Sequence, residues 1–266
     1  MTGLWKPVLL AGVMVACRTA AADGEGEEKL SPERMRAIHK KADADGDGKL
    51  TMSELLSFWD KMHATIAEKG SAPIVAELDT DKDGRLSLQE LVAELDIPKD
   101  MDDGAAESHK QFELRKFNAS DKNGDGYLDK AEIPGFFFPE TDEDILHLTT
   151  GETHKFKDAD GDGKVSVQEF WSHDPVGGQA RDPSEAEREE FRALDADGDG
   201  SLSLDELKHW ESGRFHTMGA LTKLFEVSDA DSDNHISAKE LEGAGKDIVG
   251  SEMHFHLLEW VEHLEL

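Results

Sequence analysis

The chain has 266 residues, with 59 acidic side chains against 29 basic ones and a formal net charge of −30. Phosphate-backbone recognition needs a basic face, so this balance excludes nucleic acid as a partner. It leaves two broad readings, a disordered acidic chain or a protein built to hold cations, and the spacing of the acids selects the second.

In chain order, residues 1–22 read as a signal peptide: Lys6 gives a positive start, Pro7 to Cys17 is apolar, and Ala20-Ala21-Ala22 offers a small-residue cleavage site. The apolar run is shorter than the ~20 residues of a membrane span, so no span is expected. Cys17, the one cysteine, lies inside it. The remainder therefore depends on helix packing and bound metal rather than on disulfides. An acidic spacer fills 23–30, and Ser31-Pro32-Glu33 reads as a helix start.

Six twelve-residue loops follow, beginning at Asp43, Asp79, Asp121, Asp158, Asp195 and Asp229. Each carries oxygen-bearing side chains at positions 1, 3, 5 and 12, a turn residue at 6, and a main-chain carbonyl to offer at 7. Position 9 can reach an ion through water. This is the flexible, all-oxygen shell of ~6–8 ligands that suits calcium. The residues are Asp43, Asp45, Asp47, Lys49, Thr51 and Glu54; Asp79, Asp81, Asp83, Arg85, Ser87 and Glu90; and Asp121, Asn123, Asp125, Tyr127, Asp129 and Glu132. They continue as Asp158, Asp160, Asp162, Lys164, Ser166 and Glu169; Asp195, Asp197, Asp199, Ser201, Ser203 and Glu206; and Asp229, Asp231, Asp233, His235, Ser237 and Glu240. Position 6 is Gly in five loops and Asn234 in the sixth. Asn is the next residue most tolerant of the left-handed region, so that loop is expected to turn as well. The cofactor expected is Ca2+, up to six ions.

The fold expected is all-α, with six EF-hand helix–loop–helix units forming three pairs. Position 8 is Leu50, Leu86, Leu128, Val165, Leu202 and Ile236, each suited to a short strand in a two-stranded ladder between paired loops. Breaks at Pro98 with Met101 to Ser108, and at Asp174 to Ser184, group consecutive units: 31–98, 108–174 and 184–247. Twelve short helices are expected, and a C-terminal helix over 248–266. Phe136-Phe137-Phe138 cannot all face one core, which makes at least one a contact candidate. Trp59, Trp171, Trp210 and Trp260 read as core or groove residues, and His254 and His256, two apart, do not make a zinc site. Asn118-Ala119-Ser120 is a glycosylation sequon. No nucleophile–base pair, phosphate loop or catalytic metal motif is present, so no enzyme is expected. The last residues, His263-Leu264-Glu265-Leu266, are similar to the retrieval signal HDEL with Leu264 in place of an acid.

These features together resemble the reticulocalbin–calumenin (CREC) family. The most specific match is the third loop and its tail, DKNGDGYLDKAEIPGFFFPE, and Glu187 through Trp210 to Gly250-Ser251 is similar in order and spacing. The chain departs from the family in its shorter N-terminal half, in Asn234 and in Leu264. The resemblance implies a low-affinity calcium-binding protein of the secretory-pathway lumen (endoplasmic reticulum or Golgi, or secreted). It also implies action as a buffer and as a calcium-dependent, chaperone-like partner of client proteins, and a monomer is expected. The rival reading is a cytosolic six-EF-hand sensor, for which both terminal signals would be accidental.

Overall fold

The computed structural model describes residues 30–93, 103–172, 182–249 and 251–263. The signal peptide, most of the acidic spacer, Pro98 and Leu264 to Leu266 lie outside them, as does most of the break from Asp174 to Ser184. Within the described residues the chain is helical, relieved by six two-residue strands. Helix α1 (Pro32–Ala42) begins as its sequence predicts: Ser31 is extended, its hydroxyl accepts from the Arg34 amide, and Pro32 opens the first turn. It leads to β1 (Lys49–Leu50), α2 (Met52–Leu78), β2 (Leu86–Ser87), α3 (Leu88–Ala93), α4 (Asp103–Ser120) and β3 (Tyr127–Leu128). Next come α5 (Ile133–Phe137), a 3-10 turn (Pro139–Thr141), α6 (Glu143–Lys157), β4 (Val165–Ser166), α7 (Val167–Ser172) and α8 (Glu185–Leu194). The remainder is β5 (Ser201–Leu202), α9 (Leu204–Glu211), α10 (Arg214–Ser228), β6 (Ile236–Ser237), α11 (Ala238–Gly243), α12 (Gly245–Ile248) and α13 (Glu252–His263).

Six helix–loop–helix units and three antiparallel ladders are present, but the partners differ from those expected. β1 pairs with β6, β2 with β3 and β4 with β5. Consecutive pairing of the first and second, third and fourth, and fifth and sixth loops is thus corrected. The cause is visible in α2. The outgoing helix of the first unit and the incoming helix of the second are one continuous helix of 27 residues, about 40 Å at 1.5 Å per residue. Two further expectations fall with it: the helices are not twelve short ones, and the break at Met101 to Ser108 is helical from Asp103.

The chain divides into two compact units. One holds the described residues within 30–66 and 216–263, the other those within 67–215. In the first, the earliest and latest loops share one core in which Leu50, Leu55, Trp59, Leu221, Ile236, Leu241, Met253, Leu257 and Trp260 are buried. Trp260 of α13 meets Phe58 edge-on at 5.0 Å. His39 of α1 donates through Nε2 to the carbonyl of Ile236 at 2.9 Å, fixing α1 to β6.

In the second unit, one core gathers Leu86, Leu91, Phe117, Leu128, Ile133, Phe136 and Phe137. The other gathers Val165, Phe170, Phe191, Leu194, Leu202 and Leu207, with Trp171 and Trp210 against it. The Phe-rich tail belongs inside: Phe136 and Phe137 are buried, and Phe138 is partly buried against the same core. Gly70 on α2 makes the room, because a Cβ there would stand 2.9 Å from the Phe138 ring. The expectation of an exposed aromatic contact at this tail is corrected.

Candidate calcium loops

The six loops share one local geometry. The position-1 Asp accepts from the position-6 amide through Oδ2, at 2.8–2.9 Å: Asp43 from Gly48, Asp79 from Gly84, Asp121 from Gly126, Asp158 from Gly163, Asp195 from Gly200 and Asp229 from Asn234. Position 3 accepts from the position-5 amide through Asp45, Asp81, Asn123, Asp160, Asp197 and Asp231. Position 5 accepts from the position-7 amide through Oδ1 of Asp47, Asp83, Asp125, Asp162, Asp199 and Asp233. Loop backbone donors therefore converge the side chains before any ion is considered. All six position-6 residues take positive φ, 83–85° in the glycines and 62° at Asn234. The sixth loop turns as expected.

The closing Glu is held as firmly. In each loop one of its oxygens accepts from the position-2 amide and the other from the position-9 amide. Glu54 accepts from Ala44 and Thr51, Glu90 from Thr80 and Ser87, and Glu132 from Lys122 and Asp129. Glu169 accepts from Ala159 and Ser166, Glu206 from Ala196 and Ser203, and Glu240 from Ala230 and Ser237. The hydroxyls of Thr51, Ser87, Ser166, Ser203 and Ser237 add a further hydrogen bond to the Glu, and each accepts from that Glu's own amide.

Position 9 is thus the cap of the outgoing helix, and position 12 its third helical residue, in a reciprocal capping box. Sequence reasoning treated position 9 only as an ion ligand. The repeated S/T-x-x-E spacing was the signal available for the cap. The third loop differs: Asp129 accepts from the amides of Ala131 and Glu132 in a local turn, and helix α5 begins only after Glu132.

These contacts shift the carboxylates' protonation. The backbone and hydroxyl of Ser87 hold Glu90 down at about 2, and those of Ser237 lower Glu240. Desolvation is the largest single influence on Glu54, Glu169 and Glu206 and pushes them upward, but the hydrogen bonds from Thr51, Ser166 and Ser203, together with those from the amides at positions 2 and 3 of each loop, outweigh it and the net shift is downward. All five are anions wherever calcium chemistry matters.

Their chemistry and spacing fit a hard divalent ion. In five loops three carboxylate oxygens lie within 4.8 Å of one another, from Asp43/Asp45/Glu54, Asp79/Asp81/Glu90, Asp158/Asp160/Glu169, Asp195/Asp197/Asp199 and Asp229/Asp231/Glu240. Oxygens bound at ~2.3–2.6 Å to one calcium ion sit at separations of this order. The third loop has an amide oxygen at Asn123 in place of one carboxylate, inside the same backbone wrap. Across each ladder the six position-8 side chains are fully buried, Leu50 against Ile236, Leu86 against Leu128 and Val165 against Leu202.

The comparisons with known proteins agree. The family described as EF hand matches residues 40–59, 76–95, 114–133, 158–172 and 188–209. Reticulocalbin-2 of Crotalus adamanteus is 31% identical over 238 residues, covering 80% of this chain and 76% of that protein. The chain belongs to the reticulocalbin family. Human reticulocalbin-3 is similar too, 27% identical over 85% of this chain and 75% of its own length. Among solved structures, calcium-loaded apo-aequorin from Aequorea victoria matches 70% of this chain and 90% of its own at 17% identity. Its TM-score of 0.30 is too low to add to the argument. This reticulocalbin-family chain is accordingly a calcium-binding protein and not an enzyme. No helix among its described residues is long and apolar enough to cross a membrane.

Proposed function

We propose that the chain binds up to six calcium ions, one per loop, as a low-affinity, high-capacity buffer in the secretory-pathway lumen. In the same reading it is a calcium-dependent partner of client proteins there. The ligands in each loop are the side chains at positions 1, 3, 5 and 12 and the carbonyl at position 7, with position 9 capping the helix in every loop but the third. One observation supports the capacity: the same backbone wrap recurs in six loops, and in five of them it draws three carboxylate oxygens within 4.8 Å of one another. The luminal address rests on the likeness to the reticulocalbins and on the sequence of the two termini.

Calorimetric titration of residues 23–266 tests the capacity. The expected result is a stoichiometry approaching six, and a plateau at two or three ions would overturn it. Client binding requires apolar surface that changes with calcium, so a hydrophobic dye titrated alongside should respond. A flat dye signal with full calcium loading would leave the buffer alone. Localising the protein with and without its last four residues tests the address.

A further inference from the structure

A second regularity runs across the ladders rather than within the loops. In each pair a cation at position 7 of one loop reaches the position-5 Asp of the other. Lys49 of the first loop contacts Oδ2 of Asp233 in the sixth, and Lys164 of the fourth contacts Oδ2 of Asp199 in the fifth. Arg85 of the second loop stands 3.6 Å from Oδ2 of Asp125 in the third, lying over the Tyr127 ring at 3.9 Å and 3.1 Å from its own Asp83. In all three targets Oδ1 already accepts from the position-7 amide of its own loop. The cation therefore takes the oxygen that the loop leaves open.

The arrangement is asymmetric in one direction. Position 7 of the receiving loops is His235, Tyr127 or Ser201, and each ladder holds one Lys or Arg at that position. Under consecutive pairing, the first and second loops would have brought two such cations together, and the fifth and sixth none.

We propose that Lys49, Arg85 and Lys164 are tethered competitors of calcium. Each neutralises a ligand carboxylate of the partner loop when that loop is empty, and opposes the incoming ion when it fills. The third, fifth and sixth loops are thereby set to fill at higher calcium than their own ligands would dictate. This rests on the calcium reading above. A unit charge ~5–6 Å from a divalent ion in a largely aqueous setting, weakened by salt, changes affinity by about 3- to 10-fold.

The test uses Lys164→Met and Lys49→Met in residues 23–266, with Lys110→Met as an exposed control of equal charge change and Lys164→Arg as the restoring variant. The backbone amide signals of Gly200 and Asn234 report the fifth and sixth loops in a calcium titration by NMR. Lys164→Met should move the Gly200 midpoint to about 3- to 10-fold lower calcium, leave Asn234 in place, and be reversed by Lys164→Arg. In chelator, where carboxylate repulsion is no longer offset, Lys164→Met should also melt below the wild type. An unchanged Gly200 midpoint, or a shift no larger than that of Lys110→Met, overturns the proposal while the calcium reading stands. A wild-type Gly200 signal that ignores calcium overturns both for that loop.

Discussion

Leu50 lies opposite Ile236 in a two-residue antiparallel ladder, and both side chains are completely buried. The first and last loops of the chain thus form one folding unit, sharing a core with α13. Ile236→Ala should destabilise that unit by about 3 kcal/mol, a typical cost for truncating a buried aliphatic side chain. Hydrogen exchange checks the pairing: amides of the first loop should lose protection, while those of Val165 and Leu202 keep theirs. Under consecutive pairing the fifth loop would respond instead.

Backbone strain separates the loops more finely than ligand identity does. Position 4 takes positive φ throughout, but in two loops it is not glycine: Lys82 at 61° and Ser232 at 60°. Left-handed conformation costs an L-residue roughly 1–2 kcal/mol. Lys82→Gly and Ser232→Gly should therefore each stabilise the folded loop by up to about 1 kcal/mol, part of the gain being lost to unfolded-state entropy. Denaturant unfolding in chelator measures it.

The closing Glu is both a candidate ligand and half of a capping box. Glu206→Gln keeps most of the hydrogen bonds from Ala196 and Ser203 but removes a full charge from the cage. Calcium affinity of the fifth loop should fall on the order of 10-fold or more, with melting in chelator changed by less than about 1 kcal/mol. Calorimetry and thermal melting separate the two effects. Ser203→Ala should do the reverse, costing about 1 kcal/mol of stability.

Acid should destabilise the ion-free fold in two steps. Burial, with a smaller contribution from His256, lowers His63 to about 4 from 6.5. Between those values the unfolded chain takes up a proton that the folded chain refuses, so stability falls as pH drops from 6.5. The depressed closing glutamates act below that. Their stabilising contribution is complete above pH 4.5 and is lost as pH falls through the folded values, about 2 for Glu90. His63→Phe should abolish the first step and leave the second, as read by melting temperature against pH in chelator.

The Phe-rich tail shows where local reading ran short. Three consecutive aromatics looked too many for one core, yet α5 ends at Phe137 and the chain bends into the turn at Pro139. That bend lets Phe138 lie against Gly70 of α2, a residue far away in sequence. The sequon is also placed by the fold: Asn118 is exposed on α4, while the Ser120 hydroxyl is buried.

What the sequence determined by itself is most of what is contained within a twelve-residue loop, the helix-capping role of position 9 excepted. Ligand identity, the positive-φ turn and the apolar position 8 depend on backbone geometry and hydrogen bonds spanning a few residues, so spacing reveals them. The choice of partners was not of that kind. Six loops offer nearly the same strand, and their local chemistry permits many pairings. The choice was made by whether an outgoing helix stops or runs on, and α2 runs on through Pro73 to Leu78. Only the tertiary structure, by placing Leu50 against Ile236, decided that each ladder would receive a single crossing cation.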